Sequence, residues 1–207
     1  MKQRTTEWFD ARLGKITASR FGDVMTKAKS GKGLSAKAES YLLELVTEIM
    51  TGDSKQIESA SLDWGTFTEE NACEEYEVLN FVEVEKVGFI QHPEYEKVGG
   101  SPDGLVGDKG IIEIKCPFNS ANHISYLFSE KLPGAYYAQI QGNLWITERE
   151  WCDFISFDPR VLDQTKRMII KRVERDEKYI TDLEESINNF LQVYEERVQL
   201  IYVNEQQ

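Results

Sequence analysis

Along the first half of the chain the apolar residues recur at helical spacing, and in the middle they switch to near-alternation. Short helices are predicted over residues 6–13 and from Thr17 or Ser19 to Met25. A longer one starts at the N-cap candidate Ser35, carries Leu42, Leu45, Val46 and Ile49 on one face, and stops near Gly52. Residues 62–79 read as another. Residues 81–90, 97–106 and 110–116 then alternate or carry β-branched residues between turn signals, which predicts consecutive antiparallel strands. Asn119 caps a helix after Pro117, and residues 135–145 form the next. Strands follow at 151–157 and 168–173. From about Glu177 a closing helix presents Ile180, Leu183, Ile187, Phe190, Leu191, Tyr194 and Val198 on one face. The order of helices, strands, helices, strands and helix predicts an α/β fold with a central mixed β-sheet flanked by helices. No repeat, low-complexity tract or linker divides residues 1–207, so one domain is expected, with residues 27–33 (KAKSGKG) its most flexible-looking stretch.

At 207 residues, with 41% hydrophobic and 29% charged positions, the chain is long and apolar enough for a real core, which excludes disordered and collagenous classes. No apolar run approaches the roughly 18 residues of a membrane span, and Glu7 and Asp10 follow Met1 where a signal peptide would be apolar. A cytoplasmic protein without membrane attachment is therefore expected. Cys73, Cys116 and Cys152 are odd in number, far apart and in no C-x-x-C pattern, so neither a disulfide framework nor a thiolate zinc site is indicated. With only His92 and His123 there are few histidine bases, whereas 36 acidic residues offer many ligands for hard cations. The net charge of −12 hides an asymmetry: residues 1–37 carry nine bases and three acids, residues 38–96 two bases and fifteen acids, and residues 97–207 thirteen bases and eighteen acids. A basic start on an acidic body is either a solvated face or a local anion site, and the acidic stretch is free to meet a partner protein.

The chemistry concentrates in Ser101-Pro102-Asp103-Gly104 and, one turn later, Glu113-Ile114-Lys115. Residues 113 and 115 are two apart on a strand and project from one sheet face. If the Asp103 segment pairs beside that strand, Asp103 and Glu113 converge, and with the Ile114 backbone carbonyl they offer the oxygen ligands that Mg²⁺ takes. Lys115 beside them can steer or deprotonate a water and stabilise charge building on phosphorus, which describes a phosphodiesterase. Taken singly, Pro-Asp-Gly is a common turn and Glu-x-Lys a common solvated pair; together they place two acids and a lysine within one hairpin. In the helix around residues 64–72, Glu69 shares the apolar side with Ala72, Cys73 and Tyr76, which makes it the candidate further acid. Trp8, Phe9, Trp64, Tyr136 and Tyr137 suit either base stacking or the core, with core favoured for all except Trp8. His123 is a candidate DNA-backbone contact, and Cys116 is expected to point away from Lys115.

The run from Ser101 through Phe118 resembles the PD-(D/E)XK nuclease signature, in the form found in the phage lambda-type exonucleases, also called YqaJ-like viral recombinases. The resemblance extends to Trp8 with Arg12–Ser19 (RLGKITAS), to Trp64-Gly65 with Glu69, to Tyr137–Gln141 (YAQIQ) and to Phe157–Arg160 (FDPR), in the family's order. It implies a restriction-endonuclease-like fold and a Mg²⁺-dependent exonuclease, with Mn²⁺ as a possible substitute. Such an enzyme degrades the 5′-ended strand of linear duplex DNA and leaves a 3′ single strand for recombination. It further implies Asp103, Glu113 and the Ile114 carbonyl on metal, Glu69 as the extra acid, through water if not directly, and Lys115 at the nucleophilic water. Arg12, Ser19 and Gln139 are implied around the 5′-terminal phosphate, while Trp8, Lys15 and Arg20 are DNA-binding candidates. A homotrimer, a single-strand annealing protein as partner, and phage or prophage origin in the bacterial cytoplasm are implied by the resemblance alone. Two other readings stay open: an endonuclease of the same fold, and a non-catalytic module that binds DNA or a recombination protein.

Overall fold

The computed structural model describes residues 1–29, 31–53 and 60–203. Among them are seven α-helices: α1 Thr6–Arg12, α2 Phe21–Val24, α3 Ala36–Thr51, α4 Ala60–Asn80, α5 Ser120–Phe128, α6 Gly134–Thr147 and α7 Glu177–Val203. The strands are β1 Ile16–Thr17, β2 Val84–Glu85, β3 Ile90–Gln91, β4 Val98–Gly100, β5 Gly104–Val106, β6 Gly110–Lys115, β7 Trp151–Phe157 and β8 Met168–Glu174. Local chemistry sets several ends. The Ser35 hydroxyl accepts the Ala38 N–H at 3.2 Å, the Asn119 amide oxygen accepts that of Ala121 at 3.0 Å, and Gly52 closes α3 at φ +67°, where a side chain would be strained.

The main sheet has the order β2-β5-β6-β7-β8 and is mixed: β6 and β7 run parallel, the other pairs antiparallel. The β6–β7 crossover is made by α5 and α6, so these helices cover one face of the sheet, where Ile111, Cys152 and Phe154 meet Tyr126, Ile140 and Leu144. On the other face α4 packs Ala72, Cys73 and Tyr76 against Val106, Ile112, Ile114, Ile155 and Phe157. A third cluster joins α2, α3 and α7 to a small sheet, β1-β4-β3. There α7 fully buries Leu183, Ile187, Phe190 and Tyr194, each stabilising by about 1.5–3 kcal/mol relative to exposure.

Three sequence expectations are corrected. Residues 81–90 are not one strand: only Val84–Glu85 and Ile90–Gln91 pair, in different sheets, and between them the Met1 carbonyl crosses Gly88 at 2.5 Å from where a Cβ would lie. Residues 97–106 break into β4 and β5 at Ser101-Pro102-Asp103, where proline has no N–H for a ladder. Residues 17–25 form a parallel strand residue, a 3₁₀ turn over Ala18–Arg20 and the short α2 rather than one helix. Among the described residues no helix is long and apolar enough to cross a membrane.

Candidate active site

The break between β4 and β5 makes the site. Because β5 pairs with β6 only as far as Gly104 opposite Ile112, the last residues of β6 project beyond their neighbour, and Asp103 caps the exposed edge. Its backbone N–H donates to the Ile112 carbonyl at 3.1 Å, and its Oδ2 accepts the Ile114 N–H at 2.6 Å. The Ile114 carbonyl lies on that same edge by strand geometry. Glu113 and Lys115 project from the opposite sheet face to Ile112 and Ile114, and the Lys115 ammonium donates to Glu113 Oε1. From α6, Gln139 donates to the same oxygen at 2.7 Å, and Asn143, one turn on, lies 3.5 Å from Oε2. Helix α4 brings Glu69, whose Oε2 accepts from Arg4 at 3.0 Å.

Burial and mutual repulsion shape the charges. Glu113 is 1% exposed, and burial pushes its carboxyl up, opposed by Lys115 and raised further by Glu69. Asp103 is pushed up to about 7 by burial and by the Glu113 charge, against the pull of Lys115 and the Ile114 amide. Burial works to lower the Lys115 ammonium, yet Glu113 and Asp103 outweigh it and its pKa is raised. Glu69 is raised by burial and by Asp103, with Arg4 opposing. Two acids are thus held close at a cost that a cation shared between them would remove.

A cleft of about 1230 Å³ opens over these groups, and its walls include Trp8, Arg12, Ser19, Glu69, Asp103, Glu113, Ile114, Lys115 and Gln139. The Arg12 guanidinium lies 4.1 Å over the Trp8 ring, and both donate to the Ser101 hydroxyl, at 3.3 and 3.0 Å. Burial lowers the Arg12 pKa, and among the described residues no carboxylate pairs with it. The Ser19 hydroxyl lies 3.3 Å from that of Thr17. Lys15 and Arg20 stand outside the cleft: Lys15 donates to Gln91 and to the Glu96 carbonyl, and Arg20 pairs with Asp23 and Glu44.

Sequence reasoning missed Ser101 as a hydroxyl shared by Trp8 and Arg12, and also Arg4 and Asn143. Tyr136, expected in the core, stacks on Phe154 at 5.8 Å, yet its ring also lies 5.3 Å from the Lys115 ammonium. Asn143 was detectable at i+4 from Gln139. His123 is not a DNA contact: it is fully buried, between the Ser156 hydroxyl and the Lys166 carbonyl, each at 2.8 Å. Cys116 packs with the α4-side core as expected, although it also borders the cleft, and burial with the nearby Glu69 and Asp103 charges pushes its thiol up to about 12.

The family model of the YqaJ-like viral recombinase domain matches residues 7–150. The chain belongs to this family. Among solved structures, the alkaline exonuclease LHK-Exo from Laribacter hongkongensis is 39% identical with a TM-score of 0.88, over 98% of both chains, and has also been solved in complex with dAMP. A phage-related exonuclease from Haemophilus somnus 129PT shares the fold at 19% identity and a TM-score of 0.74, over 90% of this chain and 96% of that one. Protein R354 of Acanthamoeba polyphaga mimivirus is 33% identical over 92 residues, or 39% of this chain; the match spans 17% of that longer relative. The fold is the PD-(D/E)XK fold of the lambda-exonuclease type.

In this YqaJ-like domain the donor set fits a hard divalent cation. Among the described residues no three Asp, Glu, His or Cys side chains close a metal cage. An open edge with two crowded carboxylates and the Ile114 carbonyl beside them is nonetheless what an ion that keeps several waters requires. The carboxylate geometry also depends on Gly100: a Cβ there would lie 2.2 Å from Asn143 Oδ1 and 3.0 Å from Ile146 Cδ1. Gly100→Ala is expected to displace Asn143 from Glu113 and to destabilise the protein by about 1–3 kcal/mol. Urea unfolding checks this, and an unchanged midpoint would contradict the packing.

Proposed function

We propose that the chain is an exodeoxyribonuclease that degrades one strand of linear duplex DNA from its 5′-phosphorylated end. The observation that carries the reading is one cleft joining the Asp103–Glu113–Lys115 cluster to an arginine with no carboxylate partner among the described residues. Water attacks the phosphorus of the first internucleotide bond and the P–O3′ bond breaks, the departing O3′ leaving as a hydroxyl with a net proton from the attacking water. This releases a nucleotide and leaves a phosphate on the new 5′ end, so the end-binding groups are refilled after each cut.

Asp103, Glu113 and the Ile114 carbonyl would hold Mg²⁺, or Mn²⁺ in its place, with Glu69 reaching it through water, and the ion would supply charge neutralisation at the scissile phosphate. Lys115 stays an ammonium near neutrality because of its raised pKa, so it orients the water and holds developing negative charge rather than accepting a proton. Gln139 and Asn143 fix the Glu113 carboxylate. Arg12 and Ser19 receive the terminal phosphate, with Gln139 at the junction between that pocket and the carboxylates. Trp8 in the cleft, with Lys15 and Arg20 on the adjoining cavity that shares Arg12 and Ser19, would carry the duplex past the site, while the acidic body keeps the rest of the surface from binding DNA. Membership among viral recombinases supports a role in recombination and phage or prophage origin in a bacterial host; a 3′ single strand passed to an annealing protein and a homotrimer around the duplex complete the reading on the resemblance alone.

Arg12→Ala tests the phosphate pocket. A charge-assisted hydrogen bond contributes about 1.5–3 kcal/mol, so the preference for 5′-phosphate over 5′-hydroxyl ends should fall at least roughly 10- to 100-fold. Nucleotide release from the two duplexes measures it, and an equal loss on both ends would count against the pocket.

A further inference from the structure

One block of the sequence, Phe157–Arg160, takes no part in the chemistry described so far, yet the structure ties it to the cleft. Asp158 follows the last residue of β7 and is fully buried. Its oxygens accept from Arg160 Nε at 2.8 Å and Nη2 at 2.9 Å, from the Arg160 backbone N–H at 3.0 Å, and from the Ser120 hydroxyl. Although burial alone would raise it, these donors pull the Asp158 carboxyl down to about 2, so the pair stays ionised.

The same guanidinium reaches two other chain segments. Nη1 donates to the Phe118 carbonyl and Nη2 to the Pro117 carbonyl, both at 3.0 Å. These carbonyls lie two and three residues beyond Lys115, where the chain leaves β6 and turns toward the Asn119 cap of α5. The Arg160 guanidinium carbon lies over the Trp64 ring on α4, 4.3 Å from its centroid. Trp64 adjoins Gly65, which borders the cleft, and precedes Glu69 by little more than one helical turn. One planar fork therefore joins the end of β7, the exit of β6 and the helix bearing Glu69. A lysine has neither the fork nor the face to do so.

We propose that Arg160 is a positioning residue for this cleft, which sets the Lys115 end of β6 and the Glu69 helix at working distance by clasping Pro117, Phe118 and Trp64 to the Asp158 carboxylate. It touches no reacting atom. The proposal rests on the nuclease reading for its kinetic consequence but not for its structural one.

The test compares the parent with Arg160→Lys, which keeps a cation for buried Asp158, and with Arg160→Met, which does not. Nucleotide release from 5′-phosphorylated linear duplex is measured alongside amide hydrogen exchange at residues 64–69 and 116–120. Displacement of reacting groups by about 1 Å costs roughly 10²-fold. For Arg160→Lys, kcat is expected to fall on the order of 10- to 100-fold with KM for DNA within about twofold, and exchange is expected to quicken in both segments. Arg160→Met is expected to add loss of stability. A rise in KM at unchanged kcat would make Arg160 a DNA contact and overturn the proposal. A Lys variant with parental kcat and parental exchange, however stable, would overturn it too. If the parent itself releases no nucleotide, the nuclease reading fails, and the exchange data alone then decide whether the clasp orders both segments.

Discussion

Lys115→Ala should abolish hydrolysis while leaving a folded protein that still binds DNA ends. The ammonium touches Glu113 directly, faces the cleft and keeps its charge, so it is the donor placed where negative charge builds. Loss of one such donor costs about 10²–10³ in rate. Truncation also leaves Glu113 buried without its cation, which should push this carboxyl further up. Arg12, Ser101 and Trp8 hold one another rather than Lys115, so end binding should persist. Fluorescence anisotropy with a 5′-phosphorylated duplex, urea unfolding and nucleotide release separate the three effects. Cleavage at the parental rate would remove Lys115 from the chemistry.

Asp103→Asn is the second large effect, and its signature is thermodynamic as well as catalytic. Asp103 sits among Glu113, Glu69, Lys115, Lys86 and the Ile114 amide, and its pKa in the fold is about 7 against an ordinary value of 3.8. A raised carboxyl means the folded state binds the proton more tightly than the unfolded chain. In chelator, this contribution to stability is full below about pH 4 and is lost as pH rises through about 7. A cation binds the ionised pair, so the gain in Tm on adding Mg²⁺ should grow from pH 6 to pH 8. In Asp103→Asn that growth should shrink sharply, and cleavage should fall on the order of 10²-fold or more. Equal Mg²⁺-dependent gains in parent and variant at both pH values would show that the ion does not sit at Asp103.

What was legible in the sequence follows from the range of each interaction. Glu113 and Lys115 share a face because a strand alternates, and Asp103 reaches them through a single short turn, so local geometry was enough. Glu69 could be placed by its side of a helix. The N-caps at Ser35 and Asn119 and the stop at Gly52 are local as well. Arg12, Ser19 and Gln139 came from family resemblance, since nothing nearby in sequence marks them; the contacts that set the pocket, Trp8 and Arg12 to Ser101, span 93 and 89 positions. Arg4 reaches Glu69 across 65 positions. Arg160 looked like part of a block without a role, because its partners, the carbonyls of Pro117 and Phe118, carry no side-chain signature. The small sheet escaped for a different reason: strands of two or three residues hold too few positions for a period to show, and β1 gains its identity only by pairing with β4. His123 was misread because its burial depends on Ser156 and Lys166, which a linear reading does not bring beside it.

The central claim is end-dependent hydrolysis at the Asp103–Glu113–Lys115 cleft. The most direct test is a time course on linear duplex with 5′-phosphate ends, linear duplex with 5′-hydroxyl ends and closed circular duplex, each with Mg²⁺ or EDTA. The expected result is Mg²⁺-dependent release of nucleotides, fastest from the phosphorylated ends, with the circle intact. Nicking of the circle would contradict an exonuclease in favour of an endonuclease, and no cleavage of any substrate would leave a binding module.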